Sequence, residues 1–286
     1  KILLMNILTF DIEEWFHILD HDSTENEKQW NNYEYRLEAN MEKIFSLLHD
    51  KNQNATFFCL GWVAKKFPHI IKKIDSMGYE IGTHSNMHQL AYKQSRDEFS
   101  TDLKKSIDLL ENIIGKKVKI YRAPGFSIKK QNLWVFNELI KNGIEIDCSI
   151  FPAKRAHGGF SNYGYAEPSI VSLDTGSIKE FPINTFNFIG RQIIFSGGGY
   201  FRLLPLFIIR HLMSQSKYNM TYFHPRDFDP GQPMINDLSL LRKFKSYYGI
   251  KNSMKKLEKL IENFDFIDLK TANNSIDWAN VKQIKL

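Results

Sequence analysis

Residues 55–88, ATFFCLGWVAKKFPHIIKKIDSMGYEIGTHSNMH, decide the fold of this sequence. Residues 55–60 and 79–83 are apolar runs of strand length. Residues 64–77 between them carry apolar side chains at helical spacing, and Gly78 is a stop signal. A strand, a helix and a strand in this order are typical of a parallel βαβ unit.

The same alternation continues on both sides of this segment. Further strands are predicted at residues 6–12, 118–122, 144–148, 219–223 and 264–269, and further helices at residues 37–50, 97–114, 132–141 and 253–263. Residues 151–199 lose the periodicity and are rich in Gly, Pro, Ser and Asn, which favours loops and short hairpins over an interdomain linker. The sequence therefore predicts an α/β fold with a parallel sheet or barrel, as one domain over residues 1–286 with a loop-rich insertion at about residues 151–200.

The composition is that of an ordinary folded domain. Of the 286 residues, 43% are hydrophobic and 24% are charged, which excludes disordered proteins and disulfide scaffolds. The net charge of +6 comes from lysines spread along the chain, so no nucleic-acid partner is expected. Cys59 and Cys148 lie in apolar, strand-like surroundings without CxxC spacing, and we expect buried free thiols.

No segment is predicted to span a membrane. The apolar run that opens the chain is short and leads directly into acidic residues, which favours a cytoplasmic protein, with a location at the inner membrane surface left open. Residues 200–213, YFRLLPLFIIRHLM, are interrupted by Arg202, Pro205 and Arg210. A helix that covers the core or a loop is therefore favoured over a helix lying on a membrane surface.

Carboxylates follow the first predicted strand. Asp11 and Glu13 are two residues apart, so the period of a strand points both side chains into the mouth of a barrel, whereas Glu14 points elsewhere. Solvated carboxylates also cap strand ends, so this pair alone does not establish a site.

Two histidines follow the strand predicted at residues 79–83. His84 and His88 are four residues apart, which places two imidazoles on one side of a helical turn, as a metal chelate requires. His17 and His21 have the same spacing, so spacing alone is not decisive. The position of His84 and His88 at a strand end, where the active sites of barrels lie, favours them.

Three more polar side chains end other predicted strands. Arg122 precedes a Pro-Gly turn that can aim the Gly125 N–H at a ligand, and Asp147 and His224 each end a strand. Five strand ends that carry an acid, a base or a cation are difficult to explain as capping alone.

Together these segments resemble a known family. In chain order, the five motifs of the polysaccharide deacetylase family (NodB-homology, carbohydrate esterase 4) resemble residues 9–13 (TFDIE), 84–88 (HSNMH), 122–126 (RAPGF), 147–149 (DCS) and 222–224 (YFH). The resemblance spans about residues 6–270. Residues 197–205, GGGYFRLLP, look like the branch found with bacterial exopolysaccharide and surface-glycan biosynthesis.

The resemblance implies a distorted (β/α) barrel of the NodB-homology type and a metal-dependent hydrolase that removes an N-acyl group from an amino sugar. By position in the motifs, the implied roles are general base for Asp11, metal ligand for His84 and His88, orientation of the base for Arg122, tuning of the acid for Asp147, and general acid for His224. The family's second, ligating aspartate is replaced here by Ile12, which cannot bind a metal. Strand geometry favours Glu13 as the substitute, and Glu14 stays open if the strand bulges.

These residue types are consistent with amide hydrolysis. Two imidazoles and one carboxylate leave an open position on Zn²⁺, the divalent ion that suits them best, for a water whose pKa falls towards about 7. Asp11 would take the proton of the attacking water. The metal and the Gly125 N–H would stabilise the oxyanion, and His224 would protonate the departing amine.

Substrate contacts are expected near the same strand ends. Phe126, Tyr200 and His17 flank the motifs and are candidates for contacts with a sugar ring, although aromatic side chains at a barrel mouth usually pack into the core. The expected partner is an acylated amino sugar or glycan, with peripheral association to glycan-biosynthesis machinery. The alternatives are a deformylase or O-deacetylase acting on a related sugar, and a catalytically inactive glycan-binding barrel.

Overall fold

Strands and helices alternate through the first half of the chain, and the computed structural model describes residues 4–155, 157–188 and 191–286. The strands are β1 (Met5–Ile7), β2 (Thr9–Ile12), β3 (Thr56–Cys59), β4 (Glu80–Thr83), β5 (Ile120–Tyr121), β6 (Ile146–Asp147), β7 (Ser169–Leu173), β8 (Gly176–Glu180), β9 (Phe186–Phe188), β10 (Arg191–Ile193), β11 (Tyr218–Met220) and β12 (Lys282–Lys285). The helices are α1 (Glu27–Trp30), α2 (Leu37–Asp50), α3 (Gly61–Lys66), α4 (Pro68–Ser76), α5 (Arg96–Ile114), α6 (Trp134–Lys141), α7 (Gly198–Leu203), α8 (Leu206–Gln215), α9 (Leu240–Tyr247), α10 (Ser253–Ile261) and α11 (Leu269–Ser275).

The central sheet is mostly parallel. Its eight strands follow the order β2, β3, β4, β5, β6, β8, β7, β12, in which β7 and β8 pair antiparallel. β1 and β11 form a separate parallel ladder, and a bridge between Phe10 and Phe223 joins the chain after β11 to β2. The strands therefore curve towards a ring, and the predicted distorted (β/α) barrel is confirmed.

Helix α2 illustrates how the local sequence builds the layer outside the sheet. Leu37, Met41, Ile44 and Leu48 recur every three or four residues and are buried in the core. Burial of one such side chain contributes about 1.5–3 kcal/mol relative to leaving it exposed. This apolar face accounts for a helix over the whole predicted range.

The helix predicted at residues 64–77 is divided in the structure into α3 and α4. Pro68 occupies the first position of α4. Proline has no N–H with which to continue the hydrogen bonding of α3, but it is well suited to begin a new helix. The chain therefore changes direction here.

The strand predicted at residues 264–269 is wrong. Among the described residues, this segment contributes only a single bridge, from Ile267 to Ile7, before α11 begins. Asp268 accepts a hydrogen bond from the Thr271 N–H at 2.7 Å, which caps α11 and ends the extended chain.

Hairpins occupy part of residues 151–199, as expected. The strands β7 and β8 form one antiparallel pair and β9 and β10 another. The first pair also extends the central sheet beyond β6. This shared sheet supports our proposal of one domain with a loop-rich insertion at about residues 151–200.

The apolar segment at residues 200–213 forms α7 and α8, which are separated at Pro205. Ile209 and Met213 are fully buried, so α8 covers the core. In the part of the chain that the structure describes, no helix has both the length and the apolar character needed to cross a membrane.

The two cysteines are buried free thiols, as predicted. Burial raises the pKa of both Cys59 and Cys148, which keeps them protonated and unreactive.

Candidate active site

The carboxyl ends of β2, β4, β5 and β11 meet at one edge of the barrel, where a cleft of about 300 Å³ opens. Most of the residues singled out in the sequence line this cleft, namely Asp11, Glu13, His17, His84, His88, Gly125, Phe126 and His224. The parallel strands therefore bring together side chains that are more than 200 positions apart in the chain.

Arg122 fixes the position of Asp11. Arg122 Nη1 donates to Asp11 Oδ1 at 2.8 Å and to Thr9 Oγ1 at 2.7 Å. Both side chains of the pair are buried, and the guanidinium lies 4.1 Å from the centre of the Phe58 ring. A buried carboxylate with a charge-assisted hydrogen bond from a well-anchored arginine keeps one orientation.

Glu13, His84 and His88 converge on one point. All three are buried, and their ligand atoms lie within 4.8 Å of one another. His84 Nδ1 is 2.8 Å from the carbonyl oxygen of Arg122, so Nδ1 carries the proton and Nε2 presents its lone pair. Glu13 Oε2 is 2.5 Å from His88 Nε2, yet it has no partner of hydrogen-bond geometry among the described residues.

This donor set fits a divalent transition metal such as Zn²⁺. Burial lowers the pKa of His84 to about 4, which keeps this imidazole neutral and able to bind a metal. Burial opposes the ionisation of Glu13, but the charges of His88 and His224 hold the pKa of Glu13 below its ordinary value. A bound cation would satisfy the carboxylate oxygen that lacks a hydrogen-bond partner.

The loop that carries the two histidines is held by a residue that the sequence analysis missed. Asp102 of α5 accepts hydrogen bonds from the backbone N–H groups of Asn86 at 2.8 Å and Met87 at 3.1 Å. Ser85 and His88 have positive φ angles of 71° and 53°, which non-glycine residues rarely adopt. Asp102 therefore helps to hold a tight turn that aims both imidazoles at Glu13.

His224 faces the same two carboxylates. Its Nε2 lies 3.7 Å from Asp11 Oδ2 and 3.8 Å from Glu13 Oε1. Its Nδ1 is 2.9 Å from Asp227 Oδ2, and Asp227 Oδ1 is in turn 3.0 Å from Arg202 Nε. Burial lowers the pKa of His224, but the hydrogen bond to Asp227 and the nearby negative charges outweigh burial and raise this pKa to about 9. The imidazole is therefore protonated at neutral pH.

Comparison with protein families divides the chain into two segments. The family model for polysaccharide deacetylases matches residues 8–142. This segment is similar to that family and contains three of the five motifs that suggested it, at residues 9–13, 84–88 and 122–126. A domain of unknown function (DUF3473) matches residues 148–274, which include His224 and Asp227.

Curated relatives match over part of their length. Two peptidoglycan-N-acetylglucosamine deacetylases of Bacillus cereus are 30% identical over 104 residues and 37% identical over 93 residues. These alignments cover 36% and 32% of this chain and 38% and 34% of the relatives. A peptidoglycan deacetylase of Helicobacter pylori is 26% identical over 127 residues, which cover 44% of this chain and 40% of the relative. The chain thus spans little more than a third of the curated relatives it matches.

Solved structures match over nearly the whole chain and show its fold. A Mycobacterium smegmatis protein proposed to be a polysaccharide deacetylase has a TM-score of 0.69 at 16% identity, covering 99% of this chain and 93% of its own. A pseudoenzyme of the CE4 family from Bacillus anthracis has a TM-score of 0.50 at 13% identity, covering 99% of this chain and 70% of its own. At such identities the likeness concerns the fold alone.

Within residues 8–142, Glu13 and not Glu14 faces His84 and His88. Glu14 Oε1 accepts hydrogen bonds from the backbone N–H groups of Arg36 at 2.9 Å and Leu37 at 3.0 Å, where α2 begins. Burial raises the pKa of Glu14 to about 7, against these hydrogen bonds. Glu14 therefore caps α2 and lies away from the metal-binding point.

The expected pairing of Asp147 with His224 is wrong. Asp147 Oδ1 accepts a hydrogen bond from Ser149 Oγ at 2.5 Å and shares a buried site with Glu180. Burial raises the pKa of both carboxyl groups, so this pair favours a bound proton. The side chain of Asp147 is thus directed to its own neighbours and does not contact His224.

Asp227 takes the place beside His224 because of a local turn. His224 precedes a short 3-10 helix, Pro225–Phe228, in which the Asp227 carboxylate returns to both the backbone N–H and the imidazole of His224. An acidic residue three positions after a helix cap is the spacing of a capping box. That spacing was available in the sequence as a signal.

Two of the three residues predicted to contact the substrate line the cleft. His17 and Phe126 line the cleft, whereas Tyr200 is 39% exposed on α7 and is not among the cleft-lining residues that the structure describes. The expectation for Tyr200 is therefore not met. Gly125 has a positive φ of 60°, and a Cβ atom there would lie 2.8 Å from Leu19 Cδ1, so the turn beside the cleft requires glycine.

His17 contributes a neutral N–H donor to the cleft wall. Its Nδ1 accepts the Glu14 backbone N–H at 3.2 Å, which leaves the proton on Nε2. Burial holds the pKa of His17 well below its ordinary value, and Nε2 has no hydrogen-bond partner among the described residues. The His17 and His88 rings lie 5.6 Å apart, so this donor is next to the metal-binding point.

Proposed function

We propose that this chain is a metal-dependent hydrolase that removes an N-acetyl or other N-acyl group from an amino sugar of a polysaccharide or glycan precursor. The observation that carries the proposal is one cleft in which a carboxylate and a protonated imidazole, Asp11 and His224, lie beside three convergent metal ligands. The N-acetylglucosamine deacetylases of Bacillus cereus that match in sequence support the same class of substrate.

Glu13, His84 and His88 would hold the metal ion. When bound, Zn²⁺ would supply a Lewis acid that polarises the acyl carbonyl and lowers the pKa of water towards about 7. The Ile12 side chain at the position of the family's second aspartate leaves the carboxylate ligand to Glu13, whose longer side chain reaches the two imidazoles.

Asp11 acts as the general base in this proposal. Its carboxylate accepts a proton from the water that attacks the amide carbonyl. The ion pair with Arg122 orients the carboxylate, with Oδ1 engaged by the guanidinium and Oδ2 towards the cleft. A positioned base of this kind contributes about 10²–10⁴ in rate.

His224 acts as the general acid. As the bond between the acyl carbon and nitrogen breaks, the imidazolium donates its Nε2 proton to the nitrogen, which leaves as the free amine of the sugar, while the acyl group leaves as a carboxylate. Asp227 holds the imidazolium at Nδ1, so the proton available for transfer is the one that faces the cleft.

Two donors are available for the oxygen atoms of the substrate. The backbone at Gly125 lines the cleft and is our candidate for stabilising the charge that develops on the carbonyl oxygen. The His17 Nε2–H is our candidate for holding the acyl group or a sugar hydroxyl, because a buried donor without a partner gains most from a ligand atom. Phe126 offers an apolar face beside them.

A protonated acid in the cleft favours amide over ester substrates. An amine is a poor leaving group unless it is protonated. An alkoxide leaves an ester more readily and depends less on a general acid. A glycan-binding barrel without activity would need neither a buried base nor a paired imidazolium, so the presence of both in one cleft favours an enzyme. We therefore rank N-deacylation above O-deacetylation. Removal of an N-formyl group also breaks an amide bond, so deformylation is an alternative that the leaving group does not separate from N-deacetylation. Residues 197–205 support an exopolysaccharide or surface-glycan precursor as the substrate.

The experiment measures metal and acetate together. The full chain is loaded with zinc, dialysed and analysed for metal. It is then incubated with tetra-N-acetylchitotetraose, and the released acetate is measured. We expect about one equivalent of zinc, acetate release that Asp11→Asn abolishes without loss of zinc, and loss of both in His84→Ala. His69→Ala, at an exposed histidine of α4, is the matched control and should retain both.

A well-folded protein that binds no metal would contradict the proposal, as would acetate release that survives Asp11→Asn. An N-formyl analogue and an O-acetyl analogue of the same oligosaccharide, both without N-acetyl groups, are tested separately. Formate released from the first reports deformylation, and acetate released from the second reports O-deacetylation.

A further inference from the structure

One wall of the cleft carries four cationic side chains that the proposed chemistry does not use: Arg155, Arg226, Arg242 and Lys245. Among the described residues, none of the four forms an ion pair with a carboxylate. The floor of the cleft is acidic, with Asp11 and Glu13, but both of those carboxylates are engaged with Arg122 and the histidines.

The arginines whose side chains the structure describes divide by location into paired and unpaired ones. Arg36, Arg96, Arg122 and Arg202 each form an ion pair with an aspartate or glutamate. Of the other arginines whose side chains the structure describes, Arg210 is exposed on α8 and the remaining three line the cleft. Pairing is therefore the rule outside the cleft, and the exceptions are concentrated at its wall.

Aromatic rings and backbone carbonyl groups position the arginines of the wall without neutralising their positive charge. The Arg155 guanidinium lies 4.5 Å from the centre of the Phe151 ring and 5.0 Å from that of Phe126. Arg242 donates to the backbone carbonyls of Leu19 and Asp20 at 2.5 and 2.7 Å. Aromatic faces and carbonyl oxygens orient a guanidinium without neutralising it.

Arg226 has a buried guanidinium nitrogen in the cleft wall. It follows His224 by two residues, lies 5.7 Å from the Tyr247 ring centre, and has a buried Nη2 without a hydrogen-bond partner among the described residues. A buried guanidinium nitrogen that lacks a partner costs free energy, and an anionic ligand atom would relieve that cost.

We propose that this cationic wall, Arg155, Arg226, Arg242 and Lys245, binds an anionic group of the substrate, a carboxylate or a phosphate carried close to the N-acyl sugar. The inference rests on the proposed function and adds the substrate's charge to it. Guanidinium groups match both anions through paired N–H donors, and a cleft lined by one sign of charge concentrates ligands of the opposite sign. The preferred substrates are accordingly uronate-containing glycans or phosphate-linked amino sugars.

The test compares matched ligands by calorimetry, using the Asp11→Asn chain loaded with zinc so that no hydrolysis occurs. One pair is chitotetraose against the tetrasaccharide of alternating N-acetylglucosamine and glucuronate. The other is N-acetylglucosamine against its 1-phosphate. We expect the anionic member of at least one pair to bind about tenfold more tightly at low salt, with an advantage that shrinks at 0.3 M NaCl. The pair that shows it identifies the anion.

Arg226→Gln should remove this advantage, and Arg155→Gln provides the same test if Arg226→Gln does not fold. Arg210→Gln, at the exposed arginine outside the cleft, should keep it. Equal affinity for both members of both pairs would overturn the inference. An affinity advantage of the anionic ligand that survives in Arg226→Gln, or in Arg155→Gln if Arg226→Gln does not fold, would also overturn it. So would an advantage that Arg210→Gln abolishes as well. Preference for the anion without acetate release by the wild type would contradict only the proposed function, and acetate release without preference only this inference.

Discussion

Replacing Asp227 by Asn should shift the alkaline limit of activity to lower pH. Asp227 Oδ2 lies 2.9 Å from His224 Nδ1, and the Asp227 side chain is 5% exposed. Asn preserves the shape of the side chain and removes its negative charge. The pKa of His224, which is about 9 in the protein, should therefore fall towards its ordinary value of 6.5.

The size of the effect follows from the protonated fraction of His224. With a pKa of about 9, about 97% of the imidazole is protonated at pH 7.5, and with a pKa of 6.5 the fraction is about 10%. Activity that needs the imidazolium should fall about tenfold at pH 7.5 and less than about twofold at pH 6. The sign is fixed because a raised pKa retains the proton to higher pH. For the same reason, the contribution of this pair to stability is complete below about pH 6.5 and is lost as the pH rises through about 9.

The assay is the ratio of kcat/KM for Asp227→Asn to that of the wild type, measured from pH 6 to pH 9 on one N-acetylated oligosaccharide. The ratio cancels the titration of groups that both proteins share. Asp147→Asn is the matched control, because Asp147 is also a buried aspartate but does not contact His224. A ratio for Asp227→Asn that does not change with pH would refute the reasoning, and so would a shifted limit in Asp147→Asn.

Three further predictions concern the ligands, the buried ion pair and the cleft wall. Glu13→Ala should lose bound zinc, and Glu14→Ala should keep it, as measured by elemental analysis. Loss of the α2 cap in Glu14→Ala should lower the free energy of unfolding by about 1–2 kcal/mol, as measured by urea unfolding. Zinc lost only in Glu14→Ala would reverse the assignment of the carboxylate ligand. Arg122→Ala should lower the free energy of unfolding by about 3–5 kcal/mol because Asp11 stays buried without its partner. Lys104→Ala, at the exposed pair with Asp108, should lower it by less than about 1 kcal/mol, and equal losses would contradict this. His17→Phe keeps the aromatic packing and removes the donor, so KM should rise about fivefold at unchanged zinc content, and an unchanged KM would exclude His17 from substrate binding.

The position of the site could be predicted from the sequence because parallel strands place their carboxyl ends together. Asp11, His84, Arg122 and His224 each follow an apolar run of strand length, and this local pattern is sufficient to bring them to one edge. The two-residue period of a strand also favoured Glu13 over Glu14 as the carboxylate that faces the histidines.

The partner of His224 could not be predicted in the same way. Asp147 and Asp227 are both close to strand ends, and the choice between them depends on where each side chain turns after the strand. A hydroxyl two residues later engages Asp147, and a 3-10 turn brings Asp227 back to the imidazole. The cationic wall could not be predicted for a related reason. Only Arg242 and Lys245 share an element, α9, and the positions of Arg155 and Arg226 beside them depend on tertiary packing.

The bridge between Phe10 and Phe223 joins two segments that have separate family assignments, residues 8–142 and residues 148–274. The first segment holds the base and every metal ligand of the proposed chemistry, and the second holds the acid and all four members of the cationic wall. A protein that shares only the first segment therefore has the residues proposed to activate water. It lacks those proposed to protonate the leaving group and to bind an anionic substrate. Similarity confined to the first segment is thus informative about mechanism and much less so about specificity.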